Sequence, residues 1–317
     1  MPVYRRKIRI CSILALTSTL ALASGAVAAP PIGVPAAGMQ GKVVINDRGK
    51  AKIHTYAPAP MAATTHIIET ADGLVVIDAQ QFVSGAKEAI AYVRSLNKPV
   101  RRLIISHGHP DHWLGLGEWE VPASSLPEIK AFINGEEGGF IYRARREGIP
   151  PYPPLGPQLS ERRGVIANEL HEGAEKIIGL DFVFEKVLDA EADVQLLVKL
   201  PELHTLVMQD LIYNNQHHFI GQNRVAKDAL PTFDAWANDL RKIKSENPGT
   251  ELVLVGHGAP TGPAVIDESI AYLGKAKEVF AKAKDGDELH KMMEAAFPGL
   301  DGIRYIDISS RYMYPQK

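Results

Sequence analysis

The chain of 317 residues is almost without cysteine: its single thiol, Cys11, stands close to the N-terminus. Disulfide staples and cysteine-rich metal knuckles are therefore excluded as organising devices. Aromatic residues are sparse at 7%, and no apolar run reaches the ~20 residues that a membrane-spanning helix needs. Excess positive charge is missing too. The 35 Lys and Arg stand against 37 Asp and Glu, a formal net of −2, which lacks the electrostatic footprint of a nucleic-acid binder.

What is present begins with a leader. MPVYRRKIRI is basic, CSILALTSTLALA is apolar, and SGAVAAP supplies small residues at Ala26, Ala28 and Ala29. Those are the three parts of a secretory signal peptide. The expectation is cleavage near Ala28 or Ala29, giving a periplasmic or secreted protein with neither thiol nor membrane span. Loss of residues 1–29 removes Arg5, Arg6, Lys7 and Arg9 and no acid, leaving 31 basic against 37 acidic residues. Residues 30–40 read as a flexible leader. Residues 41–317 read as one domain, long enough for a full α/β core.

Along that domain the apolar patterning changes period. HIIETADGLVVIDAQ holds two β-branched runs joined by Ala-Asp-Gly, a hairpin signal. GAKEAIAYVRSLNK has helical spacing and ends before Pro99. RRLIISHGHPDHWLGLG is a short buried strand running into a His-rich loop. The Pro-rich GIPPYPPLGPQL, residues 148–159, reads as a surface loop. LDFVFEKVL, DVQLLVKL and HTLVMQDLI are three consecutive strand candidates, followed by a helix across TFDAWANDLRKIKSEN. ELVLVGHGAP repeats the strand-to-histidine pattern, and helices around Pro263–Lys284 and Asp287–Phe297 close the chain. The two halves look alike, which suits two mixed sheets packed together with helices outside.

SHGHPDH places His107, His109, Asp111 and His112 within six residues, just past a strand. In an extended loop, positions two apart point the same way, so His107 and His109 can share one metal ion. Asp111 and His112 can then turn toward a second. Imidazole with carboxylate suits zinc, with iron or manganese as alternatives.

This run resembles the HxHxDH signature of the metallo-β-lactamase superfamily. HIIETADGLVVIDAQ also resembles that family's opening hairpin, with Asp78 at its acidic position. The resemblance implies an αββα sandwich with two metal ions at one edge, the signature supplying two ligands to each. It further implies a bridging aspartate, here Asp210 at the end of HTLVMQD, and a last histidine, here His257 in VLVGHGAP. The family's remaining histidine has no obvious counterpart. His204 lies six residues before Asp210 along one strand, ~20 Å away, and is too far. Pairing about Pro201-Glu202-Leu203 instead sets residue 191 opposite residue 210. Glu191 is the favoured ligand, with Asp193 in reserve, Asp189 a solvated cap, and His171 an exposed helix residue. The alkylsulfatase branch of the superfamily resembles this layout, with Glu191-Ala192 and Pro201 in place.

The implied chemistry is hydrolysis by a hydroxide held between two divalent ions, zinc first, with iron or manganese as alternatives at the Glu191 site. A carboxylic ester or lactone is the first substrate reading, an alkyl sulfate the second and a β-lactam the third. A metal-binding protein without activity is the reading from another class. Asp111 would ligate and shuttle a proton. In the lactonase branch, which this region resembles, a tyrosine three residues after the bridging acid meets substrate, and Tyr213 holds that offset. His217, His218 and Asn214 fall past the same strand end and are candidates to meet a small-molecule substrate.

Overall fold

The structure, a computed structural model, describes residues 40–58, 63–149, 152, 154–221 and 232–314. The signal sequence, its cleavage region and nearly all of the 30–40 leader lie outside the described residues.

Two mixed sheets form the framework. The first contains β1 (Lys42–Asp47), β2 (Lys52–Ala57), β3 (Thr65–Thr70), β4 (Gly73–Ile77), β5 (Val100–Ile104), β6 (Ala123–Ser125) and β7 (Ile166–Glu169), in that spatial order. β1 to β4 run antiparallel, and β4 to β7 run parallel. The Ala71-Asp72 turn joins Thr70 directly to Gly73, whose φ of 141° suits glycine. The second sheet has β8 (Gly173–Ile177), β9 (Leu180–Leu188), β10 (Val194–Leu200), β11 (Thr205–Tyr213) and β12 (Leu252–His257), ordered β12-β11-β10-β9-β8. Only its β11–β12 pair is parallel.

Helices among the described residues are α1 (Val83–Ser95), α2 (Pro110–Trp113), α3 (Pro127–Asn134), α4 (Glu136–Glu147), α5 (Phe233–Glu246), α6 (Ala264–Phe280), α7 (Gly286–Ala296) and α8 (Arg304–Met313). α1 is the crossover that makes β4 and β5 parallel. It buries Ala86, Ala89, Tyr92 and Val93, one face at helical spacing.

Period-two alternation sorts the second sheet's side chains between two cores. Leu196, Val198 and Leu200 of β10 join Ile53, Ile68, Val75 and Ile104 of the first sheet in the core between the sheets. Leu197 points the other way, with Leu206 and Met208, onto Trp236 and Leu240 of α5 and Leu273 of α6. The result is helix, sheet, sheet, helix.

Three expectations need correction. Asp210 does not end its strand, because β11 continues to Tyr213. The β10–β11 register pairs Leu200 with Thr205 and Val198 with Val207, so Gln195 rather than Glu191 falls in line with Asp210. And α7 does not close the chain: α8 follows, hydrophobic on one face, and was not anticipated. Tyr142 lies on α4, which ends at Gly148 with φ 78°.

Candidate metal centre

The first sheet delivers one half of the site from the loop after β5. Pro110 opens the short α2, so His109 stays extended at φ −70° and ψ 138° while Asp111 and His112 turn into the helix. The second sheet delivers the other half. Between Val207 and Tyr213 the β11–β12 ladder slips, with Gln209 at φ 44°. Such a bulge re-aims the side chains around it. Asp210 thus points to the sheet end and sits against Gly256 of β12. A Cβ at that glycine would lie 1.7 Å from Asp210 Oδ1, so only glycine leaves room for the carboxylate.

Glu191 arrives by a different route from the one the hairpin suggests. Asp189, at φ 54°, donates its N–H to the Asp193 carbonyl at 3.1 Å. This tight turn before β10 folds Glu191 inward, fully buried, while Asp189 and Asp193 remain exposed. Gln195 Nε2 donates to Glu191 Oε2 at 3.0 Å. Between Glu191 and Asp193, the structure brings only Glu191 to the cluster.

The donor atoms form adjoining groups. His107, His109, Glu191 and Asp210 present atoms within 4.8 Å of one another, as do Asp111, His112 and His257. Asp210 reaches both: its Oδ2 lies 3.7 Å from His107 Nε2 and 3.2 Å from His257 Nε2, and its Oδ1 lies 3.1 Å from His112 Nε2. His109 Nδ1 meets Glu191 Oε1 at 2.8 Å, and Asp111 Oδ2 lies 3.3 Å from His257 Nε2.

Outer partners turn the rings inward. His112 Nδ1 donates to Asp78 Oδ2 at 2.6 Å. His107 Nδ1 meets Ser106 Oγ at 2.9 Å, and that hydroxyl donates to Asp78 at 2.8 Å. His257 Nδ1 meets the Tyr305 hydroxyl at 2.9 Å. A proton on each Nδ1 leaves the Nε2 lone pair facing the centre, the arrangement metal-ligating histidines use. Asp78 itself is saturated by Ser106 N, Ser106 Oγ, His112 and Gln209, which makes it a support and not a ligand.

Whether these residues fit a cation can be tested on their orphans. His107 Nε2, His112 Nε2 and Asp210 Oδ1 are buried without a hydrogen-bond partner. His112 Nε2 and Asp210 Oδ1 come close without aligning to bond, as two lone-pair donors do around a shared ion. A buried polar atom without a partner is destabilising by ~1–3 kcal/mol, and divalent ions held by the two adjoining groups would satisfy all three. The donor set fits metal.

The two outer carboxylates differ in environment. Burial pushes the Glu191 carboxyl up to about 7 against the opposing pull of His109. Burial acts the same way on Asp111, but His112 and His257 outweigh it and hold that carboxyl below its usual range. Tyr213 stays a neutral phenol, raised by burial and then by the Asp210 and Glu191 carboxylates. Its hydroxyl donates to Asp210 Oδ2 at 2.9 Å and lies 3.4 Å from Glu191 Oε1.

A cavity of about 800 Å³ opens above the cluster, with Asp111, Asp210, Glu191, Tyr213 and His257 in its floor. His217 and His218 are not among its lining residues. They pack behind Tyr213, with His218 stacked between Tyr213 and Tyr272 and His217 bonded to the Tyr272 hydroxyl. Asn214 holds the β12 loop through Ala259 O at 2.8 Å. His204 is exposed at the far end of β11, its ring on Gly249 O, and His171 is exposed between β7 and β8. Sequence reasoning missed Ser106, Gln195, Gln209 and Tyr305. None sits in a recognisable spacing. Only the helical period of α8, with Tyr305, Ile308 and Tyr312 on one face, was there to be found.

A family model described as "Metallo-beta-lactamase superfamily" matches residues 59–257. Solved structures with a similar fold include a metallo-β-lactamase from Pontibacter korlensis, at 16% identity and TM-score 0.55, covering 73% of this chain and 99% of that one. The metallo-β-lactamase FIM-1 from Pseudomonas aeruginosa, in a mono-zinc form, matches at 14% identity and TM-score 0.52, covering 78% and 98%. One from Erythrobacter litoralis matches at 16% and 0.52, covering 74% and 96%. No curated protein matches the chain.

Proposed function

Because the chain belongs to the metallo-β-lactamase superfamily, we propose that it is a hydrolase of carboxylic esters or lactones working with two divalent ions, zinc first. The carrying observation is Asp210. One carboxylate within 3.7 Å of histidines from both clusters is what a bridging ligand between two ions requires. His107, His109 and Glu191 would hold the first ion, and Asp111, His112 and His257 the second. When bound, the ions would supply a Lewis acid and a water acidified toward neutrality.

The chain's own residues do the rest. Asp111, its side chain 24% exposed and 3.3 Å from His257, is the carboxylate that can exchange a proton with a substrate in the cavity. Tyr213 bonds Asp210 and approaches Glu191, tying the two clusters together, so we assign it a positioning role. The domain is read as one unit over residues 41–317, its precursor exported by a signal peptide. A sulfate ester is the second reading, favoured by Glu191 in place of a histidine.

Metal content of the purified protein, with rates on a lactone, an aryl ester, a cephalosporin and an alkyl sulfate, tests both. The expected result is two equivalents of metal and fastest turnover of the lactone or aryl ester, abolished by Asp111→Ala. A preference for the alkyl sulfate would replace the first reading by the second. Turnover unchanged in Asp111→Ala would sink the mechanism.

A further inference from the structure

The cavity holds a feature the hydrolytic cluster does not use. Arg145 of α4 lines it, yet among the described residues its guanidinium makes no ion pair, and its Nε is buried without a hydrogen-bond partner. The guanidinium lies over the Tyr152 ring, 4.5 Å from the centroid. That face contact positions a cation without neutralising it.

A continuous aromatic wall joins this arginine to the metal cluster. The Tyr152 hydroxyl meets that of Tyr312, on α8, at 3.3 Å. The Tyr312 ring packs edge-on against Phe219 at 5.8 Å, and Phe219 packs edge-on against His109 at 5.2 Å. All five residues line the same cavity. One end of the cavity is thus hydrolytic, the middle apolar and the other end cationic.

We propose that the substrate is an elongated ester or lactone with an apolar body and an anionic end group, a carboxylate, seated on Arg145 while its reacting carbonyl lies at the metals. The proposal rests on the ester-hydrolase reading. Three rings separate the charge from the reacting carbon, so the anionic group is remote from the scissile bond. Arg matches a carboxylate bidentately, and the wall accounts for the apolar length between the two ends.

The test compares dicarboxylic acid half-esters, ionised at the far end, with the neutral diethyl esters of the same acids, across a series of chain lengths. The native protein should favour the half-ester at the length that spans the wall. Arg145→Met should lower kcat/KM for that half-ester by about 10–100-fold, the worth of one charged hydrogen-bonded contact, and leave the diester within about twofold. Arg145→Lys, which keeps the charge but not the fork, should fall between. A native preference for the diester at every length would overturn the proposal, as would equal losses on both esters or no loss on either. If the native protein hydrolyses neither ester, the alkyl-ester part of the hydrolase reading fails by itself. Calorimetric binding of the half-ester then decides the anion site: weakening of about tenfold or more in Arg145→Met supports it, and equal affinity overturns it.

Discussion

The two ligand clusters use the same donors: two imidazoles and a carboxylate each, with Asp210 in reach of both. Their surroundings differ. Glu191 is wholly buried and fastened by Gln195, whereas the Asp111 side chain is 24% exposed at the cavity floor. His112 leans on the buried Asp78 carboxylate, while His257 leans on the Tyr305 hydroxyl. The buried carboxylate is placed to hold a cation; the partly exposed one can also exchange a proton with substrate. A carboxylate hydrogen-bonded to Nδ1 also makes a ring a stronger donor than a phenol does. The second cluster therefore pairs one stiffly supported histidine with one more adaptable one.

Breaking what the clusters share should have the largest effect. Asp210→Ala is expected to lose both ions and lower activity by at least ~10²-fold, read by metal analysis and kcat. Gly256→Ala should copy it, because the added methyl needs the space of Asp210 Oδ1. Normal metal content in Gly256→Ala would refute that packing argument. Breaking one cluster at a time comes next. Glu191→Gln and Asp111→Asn should each retain about one equivalent of metal, and Asp111→Asn should be slower per retained metal, since it also loses the proton carrier.

The supports should separate the two histidines further. Asp78→Asn should weaken metal binding by ~10–100-fold, measured by competition with a chelator, and Tyr305→Phe by less. Equal effects would erase the distinction between a carboxylate and a hydroxyl support. The smallest expected effect is on stability alone. Burial lowers the His66 imidazole to about 4 from 6.5, with its ring nitrogens held by Thr55, Thr64 and Val255 O. A depressed histidine stabilises the fold above its unfolded value, and the benefit is lost as pH falls from about 6.5 toward 4. Denaturant unfolding at pH 7 and pH 4.5 should differ by ~2 kcal/mol from this residue, and the difference should shrink in His66→Gln.

Much of this was legible locally. The two His-loop segments, the β3–β4 hairpin, α1 and the α5 helix follow from spacing a dozen residues wide. Tyr213 was legible as an offset, though its hydroxyl faces carboxylates. Glu191 is the instructive case. Its reading rested on a hairpin register that is four residues off, and the residue reaches the cluster through a separate turn at Asp189. The bulge at Gln209 and the loop preceding β10 compensate for the register, and neither leaves a mark in apolar periodicity. His217, His218 and Asn214 were drawn toward the site by chain proximity, but past a strand end the chain can turn away, and it does.

The sequence by itself determined the donor chemistry and the layered framework, because ligand type, loop spacing and hydrophobic period are short-range properties of the chain. Only the tertiary structure decided which acid is buried, which partners orient the imidazoles, and that α8 walls the cavity with Tyr305 and Tyr312. Those outcomes depend on contacts between residues far apart in the chain, such as Gln209 with Asp78, 131 positions away, and Tyr152 with Tyr312, 160 positions away. Burial of a charge is settled by everything that surrounds it, and no local window contains its surroundings.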